Sequence, residues 1–125
     1  MKAIAFTRPL PIETQDSLVE LDLPLPEFGP RDLLVNVQAV SVNPVDTKVR
    51  GARHQGSKSE NTAKPRVLGW DAAGVVVSKG ALVNGFDLGD EVYYAGELDR
   101  PGSNAEFQAV DERLVGHKPE SIDFA

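Results

Sequence analysis

Short segments in which hydrophobic and polar residues alternate run through much of the chain, and a period of two is typical of β-strands. The strongest example covers residues 32–42, in which Val35 and Val37 flank the polar Asn36. After Ala39 the alternation changes phase, which predicts a β-bulge in this strand. This segment is therefore the most strongly predicted strand of the chain.

Several other segments predict strands on the same grounds, at residues 2–6, 17–23, 73–77, 91–95 and 105–109. Residues 73–77 are nearly all apolar, which predicts a strand that is buried on both faces of its sheet. Many of the 11 glycines and 9 prolines lie between the apolar runs, where they favour turns. The pattern predicts a mainly β fold, a partly open β-barrel of about seven strands around one core, with one or two short helices.

A short helix is predicted directly after the strongest strand. Asn43 is a favourable N-cap residue, because its side chain can accept a hydrogen bond from the first turn. Pro44 suits the first helical position, and Asp46 places a negative charge near the positive end of the helix dipole. The helix has to end before Gly51, so it is short.

The composition is that of a globular domain with an acidic surface. The 125 residues suffice for one domain with its own hydrophobic core. The net charge of −6 repels phosphate backbones, so we expect no nucleic-acid partner. No apolar stretch is long enough to span a membrane, and no signal-peptide segment follows Met1. We therefore expect no membrane association and a cytoplasmic protein.

Motifs for metal or phosphate binding are weak or absent. Without cysteine the chain has no disulfide and no cysteine-based metal site, and His54 and His117 lie far apart in sequence. Residues 51–59 are similar to a phosphate-binding loop, but Ser57 stands where that motif requires lysine. A solvent-exposed loop is the simpler interpretation of this segment. The dinucleotide-binding motif G-x-G-x-x-G does not occur in the sequence.

Four segments in a fixed order carry a resemblance to a known family, namely residues 43–46 (Asn-Pro-Val-Asp), 69–74 (Gly-Trp-Asp-Ala-Ala-Gly), 85–92 (Gly-Phe-Asp-Leu-Gly-Asp-Glu-Val) and 102–107 (Gly-Ser-Asn-Ala-Glu-Phe). They resemble the catalytic domain of the medium-chain dehydrogenase/reductase superfamily, and most of all its quinone oxidoreductases and zinc-type alcohol dehydrogenase-like proteins. The resemblance covers residues 1–125 and implies a GroES-like barrel. It also implies that a Rossmann cofactor domain follows residue 125.

The resemblance implies that the zinc sites of the family are missing. Asn43 stands at the position of a cysteine ligand and Trp70 at that of a histidine ligand, and neither suits zinc. The structural-zinc lobe would fall between Tyr94 and Ala105, where this sequence has a short segment without cysteine. Val45 occupies the position of the proton-relay hydroxyl. We therefore expect no bound zinc.

The function that the resemblance implies is that of the N-terminal, substrate-side domain of a zinc-independent NAD(P)H-dependent oxidoreductase. The substrate would be a small quinone or unsaturated carbonyl compound, and NADPH would be the cofactor. Asn43 and Asp46 are candidate catalytic residues, because Asn43 would donate a hydrogen bond to the substrate oxygen while Asp46 orients nearby groups. The candidates for substrate binding are Val45, Trp70 and Tyr94.

Some of these residues also have other interpretations. Asn43, together with Pro44, is a candidate for cofactor binding, and Asn43 also has a simpler role as a helix cap. Trp70 is most simply a core aromatic residue. Gly69 and Gly74 are expected to allow close backbone packing or positive φ angles.

We expect the isolated domain to be inactive and monomeric, although the resemblance implies that the complete protein forms a homodimer. An alternative is a stand-alone, non-catalytic GroES-like module for binding or assembly. In that case the polar segment 52–64 would be its partner-binding loop, since loops often carry such functions. The reading frame beyond residue 125 distinguishes the two hypotheses.

Overall fold

The computed structural model describes residues 1–51 and 64–125. Two overlapping segments are predicted as loops, residues 51–59 and residues 52–64. Apart from residues 51 and 64, both lie outside the described residues. The described elements are β1 Lys2–Phe6, β2 Val19–Asp22, β3 Asp32–Ser41, α1 Pro44–Arg50, β4 Arg66–Val67, β5 Asp71–Lys79, β6 Glu91–Ala95, β7 Phe107–Asp111, a 3-10 turn at Glu112–Leu114, and β8 Val115–His117.

The strands form two antiparallel sheets that do not close into a barrel. In the first sheet β1 lies between β2 and β4, and the second has the strand order β7-β3-β5-β6-β8. A bridge between Ala3 and Ala105, and the backbone bond from Ile4 N–H to the Asn104 carbonyl, connect the first sheet to the segment before β7. The predicted mainly β, partly open fold is confirmed, with eight strands rather than about seven in the described residues.

The predicted bulge is present in β3. The register between β3 and β5 shifts between Val37 and Ala39, just before the place where the sequence pattern changes phase. A further shift lies between Leu34 and Val35, which the sequence pattern did not predict. The residues after the bulge do not return to the core, since Val40 is 43% and Val42 75% exposed.

The prediction that residues 73–77 are buried on both faces is wrong. Burial alternates along β5, with Ala72, Gly74 and Val76 buried, whereas Val77 is 40% exposed. An antiparallel sheet can pack one face against the core and leave the other accessible, and β5 follows that pattern. The interior is also divided, since the buried apolar side chains of the described residues form three clusters rather than one.

The helix α1 begins and ends as predicted. Asn43 is the N-cap residue with an extended backbone, Pro44 is the first helical residue, and Gly51 follows the last one, Arg50. A helix of seven residues depends on tertiary contacts for its stability, and Val49 supplies one by packing into a buried cluster. Across residues 1–51 and 64–125, no helix is both long and apolar enough to cross a bilayer.

Two glycines of the 69–74 motif are required by backbone geometry. Gly69 has a φ of +86°, a conformation that other residues rarely adopt. A Cβ atom at Gly74 would lie 2.2 Å from the carbonyl oxygen of Asn36, so β5 could not approach β3 as closely with any other residue there. The predicted roles of both glycines are confirmed.

An ion pair anchors the loop that follows β6, at the place where the resemblance would put a structural-zinc lobe. The Arg100 guanidinium donates two hydrogen bonds to the carboxylate oxygens of Asp32, at 3.0 and 2.8 Å. The Gly29 N–H donates to the same carboxylate at 2.7 Å. Gln108 donates from its side chain to the Pro101 carbonyl oxygen. The loop is therefore held by charge and hydrogen bonds at the beginning of β3.

We predict that Arg100→Ala lowers the free energy of unfolding at neutral pH by about 2 to 4 kcal/mol, because it leaves the buried Asp32 carboxylate without its cationic partner. Urea-induced unfolding measures the loss. Arg113→Ala is the matched control, since this guanidinium is 72% exposed where it pairs with Asp111, and its removal should cost clearly less. Equal losses in the two variants would contradict the anchoring role.

The loss in Arg100→Ala should depend on pH. Hydrogen bonding to Arg100 lowers the pKa of Asp32 below its ordinary value of 3.8. A carboxyl group with a lowered folded-state pKa stabilises the protein above its unfolded-state pKa, and this stabilisation is lost as the pH falls through the folded-state pKa. Urea unfolding of both proteins should therefore show a constant difference above about pH 5 that shrinks below about pH 4. A difference that persists to about pH 2 would argue against this origin.

Candidate functional site

Hydrogen bonds bring two of the sequence motifs, residues 43–46 and 69–74, into contact. The helix α1 follows the end of β3, and Asp71, the first residue of β5, is paired with Ser41 in β3. The beginning of α1 therefore lies beside the beginning of β5. Three hydrogen bonds join four residues across this junction, in the order Gly69, Asp46, Asn43 and Asp71. The backbone through Trp70 closes the circle, and the four residues are here called the motif ring.

Asp46 ties the first turn of α1 to the residues that precede β5. Its Oδ2 atom accepts a hydrogen bond from the Asn43 backbone N–H at 2.6 Å, and its Oδ1 atom accepts one from the Gly69 backbone N–H at 3.0 Å. The residue is 6% exposed, so these bonds satisfy a buried carboxylate on both oxygens. The arrangement supports an orienting role for Asp46, and a direct part in catalysis stays a prediction.

Asn43 uses its side chain to contact β5. Its Nδ2 atom donates to Oδ2 of Asp71 at 2.6 Å, and makes a long contact of 3.5 Å with the Ser41 carbonyl oxygen. Asn43 is half-buried, and Pro44 next to it is exposed. Asn43 is thus partly exposed just beyond the end of β3, with one short hydrogen bond that orients its amide.

Asp71 is not among the site residues predicted from the sequence. The available signal was its place directly after Trp70, as the one ionisable residue of the 69–74 motif. What the sequence could not show is the pairing of β3 with β5, which places this carboxylate beside the residue that caps α1.

Val45 and Trp70 lie together in a hydrophobic cluster with Phe6, Val49 and Leu68. Trp70 is 3% exposed, so its ring belongs to the interior, as the simpler interpretation proposed. Its indole N–H has no hydrogen-bond partner within residues 1–51 and 64–125. Contact of Val45 or Trp70 with a substrate stays a prediction.

Tyr94 lies in a different cluster, in the interior of the five-stranded sheet. Its ring packs among buried apolar residues that include Leu33, Val35 and Val92. Burial raises the pKa of the Tyr94 phenol, so it is neutral at physiological pH. The hydroxyl has no partner in the part of the chain that the structure describes.

A groove of about 900 Å³ lies where β3, β5, β6 and β8 meet the last residues of the chain. Its lining is mostly apolar and includes Tyr94, Leu114 and Phe124. Asp71 is also part of the lining, and through it the groove is connected to Asn43. Of the residues predicted to bind substrate, the structure therefore brings Tyr94 to the groove and leaves the other two in a separate cluster.

The donor set at the junction does not suit zinc. The resemblance assigns two positions to zinc ligands. One holds the amide of Asn43, which is hydrogen-bonded to Asp71, and the other holds the buried indole of Trp70. Zn²⁺ takes three or four ligands from thiolate, imidazole and carboxylate groups, and one free carboxylate oxygen does not make such a set. Among the described residues no group of three His, Cys, Asp or Glu side chains could hold a metal ion.

Comparison with known proteins finds one matching family and several similar proteins. The alcohol dehydrogenase GroES-like domain family matches residues 29–120 of the chain. A zinc-type alcohol dehydrogenase-like protein of Staphylococcus aureus strain MRSA252 is 44% identical over 124 residues, which make up 98% of this chain and 34% of that protein. The chloroplastic NADPH-dependent alkenal/one oxidoreductase of Arabidopsis thaliana is 41% identical over 114 residues, or 86% of this chain and 28% of that protein.

The fold is shared with a solved structure of a quinone oxidoreductase from Coxiella burnetii. The two superpose with a TM-score of 0.88 at 32% sequence identity, over 99% of this chain and 38% of that one. Almost the whole of this chain matches the curated Staphylococcus aureus relative, but it spans only about a third of that protein's length, namely 34%.

We predict that Asp46→Ala lowers the free energy of unfolding by about 2 to 3 kcal/mol, because two backbone N–H groups lose a buried acceptor. Urea-induced unfolding at neutral pH measures the change. Asp99→Ala is the control, since Asp99 is exposed and has no hydrogen bond or ion pair with the other described residues. This control should differ from wild type by no more than about 0.5 kcal/mol. If Asp46→Ala behaved like the control, the carboxylate would not hold the junction.

Proposed function

This chain belongs to the alcohol dehydrogenase GroES-like domain family, and we propose that it is the substrate-side domain of a zinc-independent NAD(P)H-dependent oxidoreductase. The observation that carries the proposal is the Asn43–Asp71 hydrogen bond at the edge of a mostly apolar groove. A polar group beside apolar walls is the usual composition of a small-molecule site. The resemblance of the motifs to those of the zinc-free reductases agrees with it.

The substrate class that we propose is a neutral quinone or unsaturated carbonyl compound. The groove offers such a compound apolar side chains, and its charged lining residues are Asp71 and Arg113, whose guanidinium is paired with Asp111. Two similar proteins point the same way, because one is named an alkenal/one oxidoreductase and the other a quinone oxidoreductase. The zinc-type name of another relative does not argue for zinc here, because the donor set at the junction does not suit that metal.

Asn43 is the residue that we propose to contact the substrate oxygen. One of its two Nδ2 hydrogens is committed to Asp71, while the 3.5 Å contact with the Ser41 carbonyl is too long to hold the other strongly. This second N–H is therefore available to the substrate, and it would stabilise negative charge on the oxygen as that charge develops. Asp46 keeps the backbone of Asn43 in place during this step.

NADPH is the cofactor that we propose, and it would supply the hydride when bound. The fit with this chain is partial. Asn43 is half-buried beside Asp71 of the groove lining, Pro44 follows it and is exposed, and both would contact the nicotinamide end. The chain has no G-x-G-x-x-G motif, so the phosphates and the adenosine would need residues beyond it. We propose that a Rossmann domain after residue 125 provides them and that the 125-residue chain alone does not turn over.

The first experiment is to express the protein encoded by the complete reading frame and to follow NADPH consumption with a quinone and with an enone, in the presence of a metal chelator. We expect turnover that survives the chelator. Asn43→Ala should lower kcat by about 10- to 1,000-fold, the range found when a hydrogen-bond donor to a developing oxyanion is removed. Asn84→Ala, at an exposed asparagine away from the groove, should leave kcat unchanged.

Three results would contradict the proposal. Turnover that is lost under chelation would mean that a metal takes part. A stop codon after residue 125, or a complete protein without turnover, would favour the stand-alone binding or assembly module. An isolated chain of 125 residues that reduced a quinone at an ordinary enzymatic rate would contradict the division of the site between two domains.

A further inference from the structure

Asp71 occupies a rigid place in the fold next to the proposed site. It is the first residue of β5, and its backbone is paired with Ser41 of β3 on one side and with Ala95 of β6 on the other. A carboxylate in the middle of three paired strands has less freedom than one on a loop. Its Oδ2 atom is the one that accepts the 2.6 Å hydrogen bond from Asn43.

The backbone of Asn43 is held without any help from Asp71. Its N–H donates to the Asp46 carboxylate, and its carbonyl oxygen accepts a hydrogen bond from the Asp46 backbone N–H at 3.0 Å. Only the side-chain torsions of Asn43 are left for another group to determine. Within residues 1–51 and 64–125, the short hydrogen bond of this side chain is the one to Asp71, while its contact with the Asp46 backbone N–H in the capping box does not reach a full hydrogen bond.

A carboxylate selects one of the two ways in which an amide can face. The nitrogen and the oxygen of an asparagine side chain exchange places when the amide turns by 180°, and a neutral polar partner could accept either arrangement. An ionised carboxylate only accepts hydrogen bonds, so it accepts the arrangement in which Nδ2 faces it. Charge-assisted bonds of this length are also stronger than neutral ones.

We infer that Asp71 is a positioning residue, which holds the Asn43 amide so that its second N–H faces the substrate oxygen. The inference rests on the proposed function. Asp71 would not need to touch the substrate or exchange a proton. Its removal should release the side chain of Asn43 while leaving α1 in place, because Asp46 holds the helix independently.

The first test is an NMR measurement on the 125-residue chain, with the Asn43 side-chain signals assigned by their loss in Asn43→Ala. In the wild type, one of the two Nδ2 protons should exchange slowly with water. In Asp71→Ala both should exchange like those of an exposed amide, whereas the backbone signals of residues 44–50 should stay in place. Asp99→Asn controls for the lost negative charge and should leave the slow proton unchanged.

The second test uses the enzyme from the complete reading frame. Asp71→Asn keeps the shape of the side chain but removes the selection between amide nitrogen and oxygen, so kcat should fall by about 10- to 100-fold. KM should change by less than about 3-fold, since the groove itself is intact. The control Asp99→Asn should match the wild type. A purely structural role would instead lower the amount of folded enzyme and leave kcat per active site unchanged.

The outcomes separate the two proposals. If the wild-type enzyme turns over, but Asp71→Asn has the kcat of the control or the slow Asn43 proton survives in Asp71→Ala, this inference is overturned and the proposed function stands. Displaced backbone signals in residues 44–50 of Asp71→Ala would also overturn it, because Asp71 would then be holding the helix. A wild-type enzyme without turnover would overturn both.

Discussion

The buried Asp46 carboxylate accepts one hydrogen bond from Asn43, the N-cap residue of α1, and one from Gly69, and the candidate site is arranged around these two bonds. A carboxylate removed from water has to be satisfied by nearby donors, and separating the two chain segments would leave its Oδ1 atom without the Gly69 donor. The same bonds place the cap of the helix beside the first residue of β5. The pairing of β3 with β5 and this closed junction together bring Asn43 next to Asp71.

The loop after β6 is held in a related way at the opposite end of β3. Arg100 donates to Asp32 at the beginning of that strand, while the motif ring lies just beyond the end of the strand. In both places a buried or half-buried carboxylate joins segments that are distant in sequence. Charged and polar contacts of this kind contribute geometric specificity as well as stability. They fix both ends of β3, and the groove lies near its C-terminal end.

Local patterns predicted the local structure well. The bounds of β1, the cap and first residue of α1 and the bulge in β3 follow from alternation and from the chemistry of Asn43 and Pro44. The two-sided burial of β5 was predicted wrongly, because an apolar run does not reveal which sheet faces are covered. Asp71 was missed because its partner is 28 residues away in sequence and is brought near by strand pairing.

The described groups around the groove are suited to orientation rather than to proton transfer. Both oxygens of Asp46 are occupied by backbone donors, Asn43 has no titratable group, and Tyr94 is buried as a neutral phenol whose raised pKa makes it a poor acid. Asp71 has one oxygen engaged by an amide whose orientation depends on its charge. A reduction at this site would therefore need its hydride from a cofactor and its proton from water or from residues outside the described part. Because hydride and proton would come from elsewhere, the contribution of this chain to the reaction would be the orientation of Asn43.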